Sequence, residues 1–385
     1  MSQYHSLGQV PRKRHTQFGK PGGGLYSEQL VSTEGFSDAS SLTYHMYPPT
    51  MVLAVDEPYS VAPVIALDKN MQHRSFQGFQ VKAAEDYLSS RVPLLLNQDV
   101  CISVAAPLLS MSDYFFKNSS ADELIFIHEG TGLLRTMFGN IEFSPGDQLL
   151  IPRGVIYCLE FKDFQNRLLI IESNSPIQFP KRYVNRHGQL MEHAPYCERD
   201  IRKPSGLETH DERGDFLVKI KKEEMIYPYH FATHPFDVIG WDGYHYPLAL
   251  SIHDFEPITG RIHQPPPVHQ SFEAHNFVVC AFVPRMYDYH PLSVPVPYNH
   301  SNVDSDEVLY YVDGEFMSRK HVERGQLTLH PLGIPHGPHP GTVDRSLGLK
   351  ETLETAIMID TFRPLKITKN AIGLEEPDYY KSWLF

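Results

Sequence analysis

The residues of this chain that could carry out chemistry lie mainly in its last quarter. His300 is followed by Glu307 and later by His336, with Gly314 and Gly333 among the residues between the last two. Glycines favour tight turns between strands, and side chains alternate along each strand, so the three polar side chains can meet at one barrel mouth. Two imidazoles and one carboxylate on one face suit Fe(II) and leave positions open for substrate and O₂. The sequence therefore predicts an iron site at His300, Glu307 and His336.

The spacing of these residues resembles that of the two cupin motifs, each a pair of strands joined by a turn. A second copy lies upstream, where six residues separate Glu123 from Gly130 and Tyr157 stands in the place of His336. Residues 118–122 contain no histidine. Because a lone carboxylate and a phenol bind divalent metals poorly, we expect Glu123 to be a hydrogen-bonded residue of a barrel mouth. The predicted fold is all-β, a tandem of two cupin jelly-roll barrels with an extended N-terminal arm.

The length of the chain fits this arrangement, since 385 residues are long for one core and comfortable for two. We expect residues 1–195 to form the arm and a degenerate, metal-free cupin domain. Residues 196–230 are predicted to be a connector, because charged runs occur at 198–203 and 219–224. Residues 231–385 are predicted to be the C-terminal catalytic cupin domain.

Composition and charge narrow the function classes. The 31 prolines and 25 glycines favour short strands and turns, and a net charge of −12 argues against a nucleic-acid surface. The sequence contains no run of about 18 apolar residues, so it predicts no membrane span. The polar, basic N-terminus does not resemble a secretion signal. The four cysteines are scattered, which is typical of a reduced, cytoplasmic protein. The arm, residues 1 to about 40, suggests assembly into a homo-oligomer.

Several histidines near the predicted ligands could assist a reaction. His263, His269 and His275 precede a predicted strand, and His330 lies six residues before His336. An imidazole exchanges protons near neutral pH, so each of these residues is a candidate base or hydrogen-bond donor. Each could equally be a hydrogen-bonded structural residue, because the chain contains 21 histidines.

Three further residues are candidates for substrate contacts. Arg285 follows the predicted strand 276–283 and could face an acidic substrate, since a guanidinium binds a carboxylate through two hydrogen bonds. Tyr310 and Tyr311 follow Glu307, and alternation along the strand allows only one of them to point inward.

Five segments extend the pattern over most of the chain: 25–30, 241–247, 284–285, 298–307 and 356–362. Together with Pro335-His336-Gly337-Pro338, the most specific match, they resemble the homogentisate 1,2-dioxygenase family of two-barrel cupin iron enzymes. The resemblance implies that His300, Glu307 and His336 bind iron. It implies His263 as the active-site base and His330 as a histidine behind the ligands.

The chain departs from the family pattern in three respects. It is shorter than typical members. The spacing from histidine to glutamate is one residue longer, which leaves Asp306 as an alternative ligand, although Glu307 fits the distance to Gly314. Phe316 stands nine residues after the glutamate, where the family has a substrate-contacting tyrosine. The last departure places the exact substrate in question rather than the chemistry.

The activity that the resemblance implies is cleavage of the homogentisate ring with O₂ to give maleylacetoacetate, a step of tyrosine and phenylalanine catabolism. In this reading His263 accepts the phenolic proton, and Arg285, His330 or Tyr310 contacts the substrate. The resemblance also implies trimers or hexamers. The alternatives are a dioxygenase of a related hydroxylated aromatic acid, and a cupin isomerase that uses the same ligands on zinc or manganese. A non-enzymatic storage bicupin is disfavoured by the intact ligand set.

Overall fold

The computed structural model describes residues 3–68, 70–314, 316 and 322–384. Strands up to residue 251 are β1 (His5–Gly8), β2 (Ser27–Ser32), β3 (Ser40–His45), β4 (Val52–Val55), β5 (Tyr59–Ser60), β6 (Arg74–Gln77), β7 (Val92–Leu96), β8 (Val100–Ala105), β9 (Phe115–Asn118), β10 (Asp122–Glu129), β11 (Gly132–Thr136), β12 (Ile141–Phe143), β13 (Asp147–Ile151), β14 (Ile156–Phe161), β15 (Arg167–Ser173), β16 (Ile201–Arg202), β17 (Arg213–Lys222), β18 (Met225–Thr233), β19 (Val238–Gly243) and β20 (Leu248–Ser251).

The later strands are β21 (Gln270–Ala274), β22 (Phe277–Phe282), β23 (Arg285–Met286), β24 (Asp306–Asp313), β25 (Gln326–His330), β26 (Glu351–Thr352), β27 (Thr355–Thr361) and β28 (Lys366–Ile367). The α-helices of the described residues are α1 (Thr342–Ser346) and α2 (Lys369–Ile372). Short 3-10 helices span Glu34–Phe36, Gly78–Gln80, Lys181–Tyr183, Ile252–Asp254, Pro266–His269 and Tyr379–Trp383. No helix within these ranges is long and apolar enough to cross a membrane.

The strands stack in layers. An inner sheet, in the order β16-β20-β13-β10-β15-β8-β7-β28, packs on an outer sheet in the order β12-β11-β14-β9-β17-β18-β4, and these two sheets form the first barrel. The other face of the inner sheet packs on a six-stranded sheet, β21-β22-β27-β24-β25-β6, which belongs to the second barrel. The prediction of an all-β tandem cupin fold is confirmed.

Alternation along β10 explains the layers. Ile125 and Ile127 are buried between the two sheets of the first barrel, whereas Leu124 and Phe126 are buried against the second barrel. Both faces of this strand are apolar, as expected for a central strand that is covered on both sides. The face of the six-stranded sheet that points away from the first barrel carries a smaller apolar cluster, which includes Tyr311.

The barrels exchange strands at their edges. β6, from the N-terminal half, pairs with β25 of the second barrel. β28, from the C-terminal half, pairs with β7 of the first barrel. Each barrel therefore includes backbone from both halves of the chain.

The hairpin of β17 and β18 lies across the predicted end of the connector. Residues 213–233 were expected mainly in the connector 196–230, but β17 and β18 form a hairpin that extends the outer sheet of the first barrel. Val218 in β17 is fully buried, whereas Lys222, Glu223 and Glu224 are exposed, so the charged run at 219–224 is the end of β17 and the turn of the hairpin. β20 also pairs within the first barrel, through β13.

The N-terminal arm packs on the first barrel. β1, β2 and β3 form a four-stranded sheet with β19. Trp241 of β19 is fully buried, and its indole nitrogen donates a hydrogen bond to the carbonyl of Phe138, 2.8 Å away.

Candidate metal centre

His300, Glu307 and His336 converge at one end of the second barrel. Glu307 is the second residue of β24, and its Oε2 lies 3.5 Å from Nε2 of His300. Its Oε1 lies 3.3 Å from Nε2 of His336. One donor atom from each of the three residues lies within 4.8 Å of the others. A divalent cation could therefore be held between them without a change of backbone.

The two histidines are held together by their backbones. The amide of each donates to the carbonyl of the other over 2.8 Å. The two ring centroids are 4.2 Å apart. Gly337 permits this close approach, because a Cβ atom at that position would lie 2.4 Å from Oδ1 of Asn299. The glycine that follows the third ligand thus has a steric role in forming the site.

The imidazoles are oriented to offer Nε2. Nδ1 of His300 lies 3.2 Å from the carbonyl of Tyr298, and Nδ1 of His336 lies 3.4 Å from that of Ile334. Since a carbonyl only accepts, Nδ1 carries the proton in each ring and Nε2 keeps its lone pair for a metal. Nε2 of His336 is buried without a hydrogen-bond partner. A buried lone pair left in this way fits a site that binds a metal.

The carboxylate of Glu307 is suited to remain ionised. Burial by itself raises the pKa of this carboxyl, but the hydrogen bond from His330 and the adjacent imidazoles of His300 and His336 outweigh it and hold the pKa well below its usual value. Asp360 lies opposite Glu307 in β27. Burial, and then the charge of Glu307, raise the pKa of the Asp360 carboxyl. Negative charge is thus concentrated on Glu307, the group closest to both imidazoles.

Asp306, the alternative ligand, is turned away from the imidazoles. Its Oδ1 accepts from the amide of Leu332 at 2.8 Å, and its Oδ2 accepts from the amide of Leu365 at 2.7 Å. Both oxygens therefore fix loops rather than face the centre.

His330 lies directly behind Glu307. Its side chain is fully buried, with Nδ1 2.7 Å from Glu307 Oε1 and Nε2 3.2 Å from the hydroxyl of Tyr379. The ring is stacked on that of His336, with centroids 4.6 Å apart. His330 thus contacts the candidate ligands and does not line an open substrate cavity.

His263 lies at the open side of the site. Its side chain is 48% exposed, and its Nδ1 is 3.5 Å from Oδ2 of Asp288. Its ring is 5.1 Å from that of Tyr298, which is in turn 6.4 Å from the ring of His300. His269, the alternative base, is buried beside Phe282. Burial, helped by the charge of Arg285, lowers the pKa of His269 to about 3.

Tyr310 does not reach the site. It points to the opposite face of the sheet, where it is buried and its hydroxyl lies 2.7 Å from Nδ1 of His128 in the first barrel. Alternation along β24 explains this, because it puts Glu307 and Tyr311 on one face and Tyr310 on the other. Tyr311 is therefore the tyrosine on the side of the ligands.

Arg285 is separated from the ligands along the sheet. Val278 shares a row with Asp360 and Glu307, whereas Phe282 lies four residues further along β22, about 13 Å away. Arg285 is beyond Phe282; it stacks over that ring at 5.5 Å and donates to the carbonyl of Val283 at 3.0 Å. The structure does not bring this guanidinium to the candidate metal ligands.

An apolar wall adjoins the ligands on the same face. It consists of Cys280, Leu309, Tyr311, Ala356 and Met358, with Phe282, Phe316 and Val322 packed against it. The Phe316 ring is 4.8 Å from that of Tyr311. A wall of this composition suits the ring of an aromatic molecule.

The corresponding place in the first barrel contains an internal ion pair. Glu123 is fully buried, and its Oε2 accepts from the hydroxyl of Tyr157 at 2.7 Å. Its Oε1 accepts from Arg91 at 2.8 Å and from the hydroxyl of Tyr87 at 3.2 Å. A guanidinium thus supplies the positive charge beside this carboxylate.

We expect Tyr157→Phe to leave the iron content at about one ion per chain, because Glu123 is already neutralised by Arg91. The lost hydrogen bond should destabilise the protein by about 1–3 kcal/mol, the usual effect of removing a buried partner. Metal analysis and thermal denaturation of the purified variant measure both quantities. Loss of iron in this variant would show that the first barrel binds metal.

Comparison with known proteins identifies the family. A protein of Saccharolobus solfataricus that is named as a candidate dioxygenase is 41% identical over 382 residues, which cover 99% of this chain and 98% of the relative. The family described as "Homogentisate 1,2-dioxygenase N-terminal" matches residues 87–252. This chain belongs to the homogentisate 1,2-dioxygenase family, and the resemblance inferred from the sequence is confirmed.

More distant relatives share only part of this chain. The homogentisate 1,2-dioxygenase of Rhodopseudomonas palustris is 25% identical over 295 residues, which span 71% of this chain and 63% of that enzyme. Among solved structures, a cupin 2 conserved barrel domain protein from Leptotrichia buccalis is 13% identical with a TM-score of 0.31, and covers 83% of this chain and 100% of that one. Protein Ylba from E. coli is 9% identical with a TM-score of 0.32, and covers 78% and 95%.

Proposed function

We propose that this protein is an iron-dependent dioxygenase that cleaves the ring of a hydroxylated aromatic acid, with homogentisate as the first candidate substrate. The observation that carries the proposal is the orientation of His300, Glu307 and His336: two Nε2 atoms and a carboxylate face one point, and both Nδ1 atoms are engaged elsewhere. The family supports the same reading, because it includes homogentisate 1,2-dioxygenases.

These three side chains would hold Fe(II). When bound, Fe(II) supplies open coordination positions and redox chemistry for the aromatic substrate and O₂. The protein then contributes the placement of the two reactants side by side, which replaces a rare encounter by a fixed geometry. The buried side of the centre, formed by His330 and His336, excludes water from behind the ligands.

His263 would accept the phenolic proton of the substrate. It lies at the open side of the centre beside Tyr298, and Asp288 is close enough to orient its ring. An exposed imidazole can pass the proton on to solvent. His330 cannot take this role while its Nδ1 is bound to Glu307 and its Nε2 to Tyr379.

The apolar wall would hold the aromatic ring, and Phe316 bears on the choice of substrate. Its phenyl group cannot offer the hydrogen bond that a tyrosine would. The hydroxyl of Tyr311 lies 3.4 Å from Thr328 Oγ1, so it is directed toward the sheet. A hydroxylated aromatic acid other than homogentisate is for this reason the second candidate substrate.

We expect Phe316→Tyr to raise kcat/KM for homogentisate about tenfold, because one buried hydrogen bond to the substrate is worth on the order of 1–3 kcal/mol. Steady-state O₂ uptake measures the change. Tyr310→Phe, on the opposite face of β24, is the control and should leave kcat/KM unchanged. If the wild type already turns over homogentisate efficiently and Phe316→Tyr impairs it, another group already supplies the hydrogen bond to the substrate, and the second candidate substrate is excluded.

The activity is tested by loading the protein with Fe(II) without oxygen, and then following O₂ consumption with homogentisate, gentisate and related acids. Consumption of one O₂ for each ring lost supports the proposal. A protein that consumes no O₂ with any of these acids but isomerises a sugar phosphate with zinc or manganese would contradict it.

We also propose that the protein forms a homo-oligomer, a trimer or a hexamer. β4 is at the edge of the outer sheet, and its side chains Val52, Leu53 and Val55 are 42–58% exposed. An exposed apolar edge strand is typical of a surface that another chain covers.

A further inference from the structure

A chain of hydrogen bonds connects the C-terminal 3-10 helix to Glu307. Tyr379, the first residue of that helix, is 4% exposed. Its hydroxyl is 3.2 Å from Nε2 of His330, and Nδ1 of His330 is 2.7 Å from Oε1 of Glu307. These contacts join residues that are 49 and 23 positions apart in the sequence.

The positions of the protons follow from the partners. A carboxylate only accepts, so Nδ1 of His330 carries a proton and donates it to Glu307. In the neutral ring, Nε2 then has a lone pair, and the hydroxyl of Tyr379 donates to it. If Nε2 were protonated instead, a neutral Nδ1 would present a lone pair to the carboxylate. Tyr379 therefore favours the tautomer that binds Glu307.

We propose that Tyr379 is a positioning residue for the metal centre. It holds His330 in the Nδ1–H tautomer, which engages Oε1 of Glu307 and leaves Oε2 as the oxygen directed to the metal. The proposal rests on the metal site of the proposed function. It assigns a role to the last helix, which the ligand spacing does not indicate.

The surroundings of Tyr379 keep its hydroxyl in place. Its ring lies 5.5 Å from that of Trp383 and 6.1 Å from that of His339. Trp383 also contacts His73, with ring centroids 4.5 Å apart. Few rotations of the tyrosine ring are compatible with this packing, so the donor is preorganised.

The segment before the helix is fixed to the sheet of the second barrel. Glu375 pairs with Arg74 of β6 at 2.6 Å, and the amide of Glu376 donates to the carbonyl of Ser75 at 2.8 Å. Because β6 pairs with β25, which ends at His330, the tyrosine and the histidine are attached to the same sheet.

Co(II) binding to the full-length protein tests the proposal, because Co(II) accepts the same ligands and reports on them through its visible absorption. We expect Tyr379→Phe to weaken Co(II) binding about tenfold. This is the lower end of the usual effect of removing a residue that orients a metal ligand through hydrogen bonds. Its Co(II) spectrum should also change, because the carboxylate is no longer held in one orientation. The ring is kept, so a space-filling role would alter neither quantity.

Tyr380→Phe is the matched control. Tyr380 is the next residue of the same helix, half-buried, with its ring 6.0 Å from Nζ of Lys381. This variant should bind Co(II) with the affinity and spectrum of the wild type. Wild-type affinity and spectrum in Tyr379→Phe, or equal changes in both variants, would overturn the proposal.

A double-mutant cycle with His330→Gln gives a second measurement. A glutamine amide can donate to Glu307 without a tautomer, so Tyr379→Phe should have no further effect on Co(II) binding in this background. Additive effects would contradict the proposed path through His330. If Tyr379→Phe does not fold alone, folding of the double variant with the Co(II) affinity of His330→Gln supports the proposal, and a tenfold weaker affinity overturns it.

Failure of the proposed function gives a different result. A wild type that binds Co(II) and responds to Tyr379→Phe as expected, but consumes no O₂ with aromatic acids, would overturn the activity and support the positioning role. A wild type that consumes O₂, with a Tyr379→Phe variant that binds Co(II) normally, would do the reverse. A wild type that binds no Co(II) overturns both.

Discussion

Glu307→Ala should abolish O₂ consumption and metal binding together. The two remaining donors, His300 and His336, are neutral imidazoles. Without the negative charge of the carboxylate they bind a divalent cation much more weakly. The loss of metal affinity should exceed the roughly 10- to 100-fold loss that is typical when a residue hydrogen-bonded to a ligand is removed. Isothermal titration with Fe(II) under anaerobic conditions and O₂ uptake measure the two effects. The fold should persist, since the barrel core lies on the other face of β24.

Asp306→Asn is the control for this experiment. Asp306 precedes Glu307, is equally buried, and binds the amides of Leu332 and Leu365. We expect this variant to lose stability, because an amide replaces one of two acceptors, and to keep its metal. If Glu307→Ala retains iron while Asp306→Asn loses it, the assignment of the ligands is wrong.

His263→Phe should retain iron and reduce turnover by roughly 10² or more, the usual contribution of a general base. The side chain is not among the three converging ligands, and its neighbours Asp288 and Tyr298 remain in place. Turnover measured across the pH range should also lose the dependence that proton transfer to this imidazole causes. Iron content, determined in parallel, separates a lost base from a lost metal.

His275→Phe is the matched control for the base. His275 is exposed and its backbone amide is bound to Ser175 at 2.9 Å, on the side of the first barrel. It should have wild-type turnover. An unchanged rate and pH profile in His263→Phe would show that His263 is not the base.

The candidate ligands could be predicted from the sequence because the cupin spacing is local. Glu307 and His336 each have a fixed spacing to a nearby glycine, and β24, which carries Glu307, pairs with β25. The same reasoning gave the tandem fold, since the spacing around Glu123 repeats that around Glu307.

Other features depend on contacts that spacing does not encode. Tyr379 reaches His330 only after the last helix has packed on β6. Alternation counted from Glu307 puts Tyr310 on the opposite face, but the contact of Tyr310 with His128 of the first barrel is not encoded by spacing. The charged run at 219–224 predicts a connector because a solvent-exposed part of a hairpin has the same composition as a polar linker.

The exchange of edge strands makes the reactive half of the chain dependent on the other half. A fragment that started after Ser251 would contain all three candidate ligands, yet it would lack β6, the strand beside the one that carries His330. The first barrel would in turn lose β28. Neither barrel is therefore complete without the other, so the barrel that carries the three candidate ligands could not be transferred to another protein on its own.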